Sequence, residues 1–168
     1  MQNMVAADVD GNIGFVAAGR VPLRGAANDL RGLAPAPGWE ARYDWQGFLD
    51  PALTPREVNP ARGWIATANQ RIHGPDYPHF ITSEWASPYR QRRIETLLQA
   101  QPAHDKESLR RIQADVLSLS ARSLAPWLRQ ARPTHALGAV AMQRLAAFDG
   151  EMRAGDVAPL IFAAWARE

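Results

Sequence analysis

A chain of 168 residues, 46% hydrophobic and 21% charged, has the make-up of one ordinary globular domain, long enough to bury a real core. Its formal charge of +2 and complete lack of cysteine speak against a nucleic-acid module, which carries a clustered basic face, and exclude disulfides, thiolate catalysis and cysteine-ligated metal. No apolar run approaches the roughly 20 residues that span a bilayer, and Met1 is followed by strand-like sequence rather than by a charged and then apolar secretory leader.

The chain opens on a hairpin. Asp10-Gly11 is a two-residue turn signal of the type I′ kind, with Met4 to Val9 predicted as one strand and Asn12 to Ala18 as its antiparallel partner. Met4 and Ala6 point one way and Val5, Ala7 and Val9 the other, so both faces are apolar and the hairpin wants cover on each. Gly25 to Pro60, rich in Gly, Pro, Asp and Asn, reads as one long irregular segment anchored by Trp39, Tyr43, Trp45 and Phe48. Trp64 to Ala68 reads as a short strand. His73 to Pro78 (H-G-P-D-Y-P) reads as a turn.

From Ser87 the pattern becomes helical. Ser87-Pro88 predicts a capped start with proline at the first helical position, and the helix runs to about Gln99 with Ile94, Leu97 and Leu98 inward. Asp105 caps a longer helix on which Leu109, Ile112, Val116, Leu119 and Leu124 recur, kinked or ended by Pro126. Thr134 caps a third, with Leu137, Val140, Leu145 and Phe148 inward and Asp149-Gly150 as the stop. Asp156 caps a fourth, carrying Leu160, Ile161 and Trp165 to the C-terminus. The expectation is an α+β chain: residues 1–85 a strand-and-loop half with an N-terminal hairpin, a short strand and long irregular loops, and residues 86–168 a helical half. With so few strands for a hairpin apolar on both faces, the natural sheet is expected to hold more strands than this chain supplies.

Several separated motifs together resemble one family. Gln2, Asn3, Val5, Ala7, Asp8, Gly11, Asn12, Ile13, Gly14 and Phe15, followed by Gly19, Arg20, Pro22 and Arg24, match the Q-N-x-V-x-A-D-x-x-G-N-I-G-[FY] and G-R-x-P-x-R patterns of the penicillin acylase (penicillin amidase) family of N-terminal-nucleophile hydrolases. The P-G-W…W-x-G stretch at 37–47, the run N-P-A-R-G-W-I-A-T-A-N-Q-R-I from Asn59, the D-Y-P element at 76–78 and Trp85, Ser87, Pro88, Tyr89, Arg90, Arg93 and Ile94 continue the resemblance in the family's order. Gln70 departs from it, standing where a second asparagine is common. The resemblance implies a fragment of an αββα-sandwich acylase, from inside its catalytic β subunit. The parent would be periplasmic or secreted, and the partners would be the α subunit and the rest of the β subunit.

It also implies a chemistry. In this family an amide is cleaved by the N-terminal residue of the catalytic subunit, usually serine, whose own α-amine serves as base because that group titrates near neutral pH. Here Met1 precedes Gln2, and the serines at 83, 87, 108, 118, 120 and 123 are internal, so the nucleophile is expected to be missing and the isolated chain inactive. The resemblance places Asn3 at the oxyanion-hole asparagine, a side-chain amide that donates to the tetrahedral intermediate and is typically worth ~3 kcal/mol of barrier. It places Arg24 at an arginine that helps orient that asparagine and the terminal amine, and a hairpin returning both ends to one edge would suit the pair. Without the family, Asn3 reads as a strand-end polar group satisfied by backbone and Arg24 as a surface guanidinium. Asp8 reads as a partner for the turn or an adjoining segment.

No cofactor is expected. His73, His79, His104 and His135 lack the spacing of a zinc site, so no metal is expected either. Arg90, Arg92 and Arg93 on one helix point in different directions and read as a solvated face with one inward salt bridge. The reading carried forward is a part of an amidohydrolase acting on N-acyl amides such as β-lactam side-chain amides or acyl-homoserine lactones, with no nucleic-acid or membrane partner. A non-catalytic structural or binding domain that keeps the acylase scaffold is the alternative. Open hairpin faces would favour self-association of the isolated piece.

Overall fold

The computed structural model describes residues 1–167. It is α+β and divides into two compact units, Met1–Ala86 and Ser87–Glu168.

The first unit is built on the hairpin. Strands β1 (Gln2–Ala7) and β2 (Ile13–Ala18) pair antiparallel, with Asn3 opposite Ala17 and Val5 opposite Phe15. A two-residue turn at Asp10-Gly11 would have set Val5 opposite Val16 instead. The turn is longer because Asp8 organises it: its carboxylate accepts from the backbone N–H of Asp10 and Asn12, at 3.0 and 2.8 Å, and from Asn12 Nδ2 at 2.8 Å. Those bonds hold the Asp8 carboxyl below its ordinary pKa, the Asn12 side chain contributing most. Only Gly11 takes a positive φ, +87°, so the turn is not type I′. Asn59 ties the turn to the next strand, accepting from Ile13 N–H and donating to Asn12 Oδ1, both at 2.8 Å.

The segment from Gly25 to Pro60 is not simply irregular. Strand β3 (Pro22–Arg24) pairs antiparallel with β4 (Trp45–Phe48), Arg24 opposite Trp45, with an irregular register between them. Strand β5 (Arg56–Val58) adds to β2, giving a three-stranded sheet ordered β1-β2-β5 beside the two-stranded β3-β4 sheet. Trp64–Ala68, by contrast, is not a strand. Its polar groups are drawn to side chains instead: Thr67 Oγ1 to Asn3, and Ala68 N–H to Gln70 Oε1 at 2.9 Å. Buried Ala17, Val21, Leu49 and Ala68 form the interior of this unit. The outer strand β1 has little cover: Met4 and Val5, on opposite faces, are each 57% exposed.

The second unit is helical. Helix α1 (Tyr89–Gln99) has Pro88 at its N-cap with no side-chain cap bond, so Ser87 does not cap it. Arg93 is the member of the arginine run that turns inward, forming a two-bond ion pair with Asp115, Nε to Oδ2 at 2.9 Å. Asp105 does cap the next helix, in a reciprocal capping box with Ser108, but that helix, α2 (Lys106–Gln113), is short. The single long helix expected from Asp105 is two. Between them, residues 116–118 run extended beside 150–152, with Leu117 bridging Glu151, Met152 N–H donating to Val116 O and Ser118 N–H to Gly150 O, both at 2.9 Å. Ser118 then caps α3 (Leu119–Leu128), which continues through Pro126 rather than ending there.

Helix α4 (Ala136–Leu145) is capped by His135, whose Nδ1 accepts from Leu137 N–H at 3.1 Å, and not by Thr134. The helix ends at Leu145, short of the Asp149-Gly150 stop expected for it; Leu145 in its last turn and Phe148 beyond it are buried, whereas Leu137 and Val140, expected inward, are 72% and 50% exposed. Helix α5 (Val157–Trp165) follows Asp156, which makes no side-chain cap bond; Glu168 lies outside the described residues. Phe162, not Leu160, carries α5 into the core, with Ala121, Ala125, Leu128, Leu145 and Phe148. No helix among the described residues is long and apolar enough to cross a membrane.

Candidate functional site

Asn3 lies in β1, half-buried, where the strand passes the segment that carries Thr67. Its Nδ2 donates to Thr67 Oγ1 at 2.6 Å, a bond between residues 64 positions apart. A primary amide nitrogen carries two hydrogens, so this bond fixes the plane of the side chain and leaves a second N–H to offer elsewhere. Asn3 borders a cleft of 310 Å³ whose walls include Gln2, Arg20, Asn69, Glu84 and Trp85. Asn69 sits there in a left-handed conformation, φ +64°, and its carbonyl accepts from Ala86 N–H at 2.9 Å. Asparagine is one of the few non-glycine residues that enters this region readily, because its short polar side chain can bond locally.

Arg24 lies in the other sheet, at the end of β3. Its side chain borders a different cleft, of 320 Å³, with Pro22 common to the two. Asn3 and Arg24 thus face neighbouring clefts, and the arginine that borders the Asn3 cleft is Arg20. The guanidinium of Arg24 lies against Gly32, where a Cβ would stand 2.8 Å from Nη2. Gly32 follows Arg31 in a turn with both residues at positive φ, +78° and +49°. Buried Asn28 holds this turn, accepting from Arg31 N–H at 2.8 Å and donating to Tyr43 O at 3.2 Å.

Reading the chain by itself did not single out Thr67, Arg20, Asn28 or Gly32. For Thr67 there was a signal, since it lies within the T-A-N run already matched to the family. Asp8 bonds the turn and lies outside both clefts. Among the described residues, no group of three or more histidine, aspartate or glutamate side chains is placed to hold a metal ion.

The similarity of the chain to known proteins extends over its whole length. The profile of the family described as penicillin amidase matches residues 1–168, the whole chain. The chain belongs to the penicillin amidase family. It is 36% identical to the acyl-homoserine lactone acylase QuiP of Pseudomonas aeruginosa over 99% of its own length and 21% of that protein. It is also 36% identical to the penicillin acylase 2 proenzyme of Pseudomonas sp. strain SE83, covering 98% of this chain and 21% of that one. In three dimensions it matches the thermostable penicillin G acylase of Alcaligenes faecalis with a TM-score of 0.61 and 26% identity, over 89% of this chain and 27% of that chain. This penicillin amidase chain therefore spans about a fifth of the length of the curated relatives it matches.

Proposed function

We propose that this chain is the oxyanion-stabilising segment of a larger amide-hydrolysing acylase, with Asn3 as the donor. The observation that carries the reading is the Asn3–Thr67 bond at 2.6 Å on the rim of a cleft. An oxyanion hole works because its donors are aimed before charge develops, so little reorganisation is needed as the tetrahedral intermediate forms. Thr67 would do the aiming. Polypeptide beyond these residues would supply an N-terminal nucleophile that attacks the amide carbon, moving the carbonyl electron pair onto oxygen, within reach of the free N–H of Asn3. Expulsion of the amine and hydrolysis of the acyl-enzyme would complete the turnover.

The substrate in this reading is an N-acyl amide, the compound class named by relatives described as acyl-homoserine lactone acylases and penicillin acylases. Arg24 would act as a positioning residue for Asn3 and the terminal amine; the support is the family resemblance, since its side chain borders the adjoining cleft. The thin cover over β1 supports completion of the three-stranded sheet by the rest of the acylase, and self-association through the same strand when the piece is alone. The parent would act in the periplasm or outside the cell.

Two measurements test the reading. The 168-residue chain alone is expected to show no hydrolysis of a chromogenic phenylacetamide, and robust turnover would refute the need for an outside nucleophile. In the full-length acylase, Asn3→Ala is expected to lower kcat by roughly 10²–10³-fold with KM little changed, since the lost bond forms only in the transition state. An unchanged kcat would remove Asn3 from the site.

A further inference from the structure

Resting on the reading of Asn3 as the oxyanion donor, we propose that Gln70 is a positioning residue for that donor, acting through the bend that presents Thr67. Asn3 is aimed only as well as its acceptor is held, and the acceptor is Thr67 Oγ1, at 2.6 Å. Residues 64–67 lead into a bend at 68–70 without entering a strand or a helix. The backbone ladder that fixes a strand residue is therefore missing at Thr67, and other ties set where its hydroxyl stands.

Gln70 supplies one of them beside it. Its side chain folds back so that Oε1 accepts from the N–H of Ala68, at 2.9 Å, two residues earlier. The bond encloses Asn69, which lies in the left-handed region at φ +64°. A side-chain oxygen thus closes the bend where an ordinary turn would use a backbone carbonyl. The other side is anchored by backbone, since Asn69 O accepts from Ala86 N–H at 2.9 Å. Between the two ties Ala68 is only 6% exposed, which leaves the bend little room to settle another way. Thr67 is joined covalently to the residue that Gln70 holds.

Gln70 does not border the Asn3 cleft, whereas Asn69 does. A substrate in that cleft has no direct contact with Gln70, so loss of its oxygen acts on the aim of Asn3 rather than on ground-state binding. The consequence is a fall in kcat with KM held. Because the route to Asn3 runs through Thr67, the fall cannot exceed that of removing the Thr67 hydroxyl.

The test is steady-state hydrolysis of a chromogenic phenylacetamide by the full-length acylase. Gln70→Met keeps the length and bulk of the side chain and removes its carboxamide oxygen. It is expected to lower kcat about 3–10-fold and to change KM by less than about twofold. Gln70→Ala is expected to give the same loss, which keeps the test valid should the thioether not fit the bend. Adding Gln70→Met to Thr67→Val is expected to cost no more than Thr67→Val alone. An unchanged kcat in both Gln70 variants, a raised KM at unchanged kcat, or a loss that multiplies in full with that of Thr67→Val would each overturn the proposal. Asn3→Ala is measured alongside. An unchanged kcat there would sink donor and positioning residue together, whereas a lowered kcat there with unaltered Gln70 variants would sink this inference alone.

Discussion

The Asn3–Thr67 bond offers a sharp test of how the oxyanion donor is aimed. Thr67→Val keeps the shape of the side chain and removes the one acceptor that Asn3 Nδ2 uses. The carboxamide then loses a short hydrogen bond in a half-buried setting and is free to turn about its last side-chain bond. Losing one such neutral bond is worth about 1–1.5 kcal/mol, which corresponds to roughly a 5–12-fold fall in kcat if it is expressed wholly in the transition state. Asn3→Ala removes the donor itself and is expected to cost about 3 kcal/mol. Because Thr67 acts only through Asn3, the double variant should be no worse than Asn3→Ala, a coupling energy equal to the whole Thr67 effect. The assay is steady-state hydrolysis of a chromogenic phenylacetamide by the full-length acylase, with kcat and KM determined separately for each corner of the cycle. Additive losses would show that Thr67 acts elsewhere, and a Thr67→Val enzyme of unaltered kcat would show that the amide needs no anchor.

Two further predictions concern the 168-residue chain. Asp115 is held below its ordinary pKa by the hydrogen bonds and charge of Arg93, so the stability it contributes is complete above the unfolded carboxylate pKa near ~4 and is lost as pH falls through the lower folded value. Asp115→Asn is therefore expected to cost about 1.5–3 kcal/mol at pH 7 and much less at pH 2, read by urea unfolding; an equal cost at both pH values would contradict the pair's role. Gly32→Ala places a Cβ 2.8 Å from Arg24 Nη2 on a backbone at φ +78°. It should lower stability by about 1–2 kcal/mol and shift the Arg24 guanidinium resonance, whereas an unshifted resonance would show that the arginine does not rest on this glycine.

Much of the local structure could be read from the chain. The hairpin, the cap at Asp105 and the burial of Leu145 and Phe148 were legible in the chain, whereas the helix expected to stop at Gly150 already ends at Leu145. The errors fall where distant residues compete for the same groups. Trp64–Ala68 has strand-like composition but gives polar groups to Asn3 and Gln70. The helical spacing through Val116 is real, yet residues 116–118 leave the helix to pair with 150–152. Strands β4 and β5 hide in a stretch rich in glycine and proline because each is defined by its partner, β3 or β2, rather than by its own residues.

The amino-acid sequence alone pointed to the family by resemblance, to a strand-rich half followed by a helical one, and to Asn3 and Arg24 as candidates. Each of these depends on residue identity and short spacing. The partner of Asn3, the separation of Arg24 into the neighbouring cleft and the hold of Asn28 on the Arg31-Gly32 turn came only with the tertiary structure. The first two are relations between segments tens of residues apart, set by how sheets and loops pack on one another, and no local pattern in the chain encodes them.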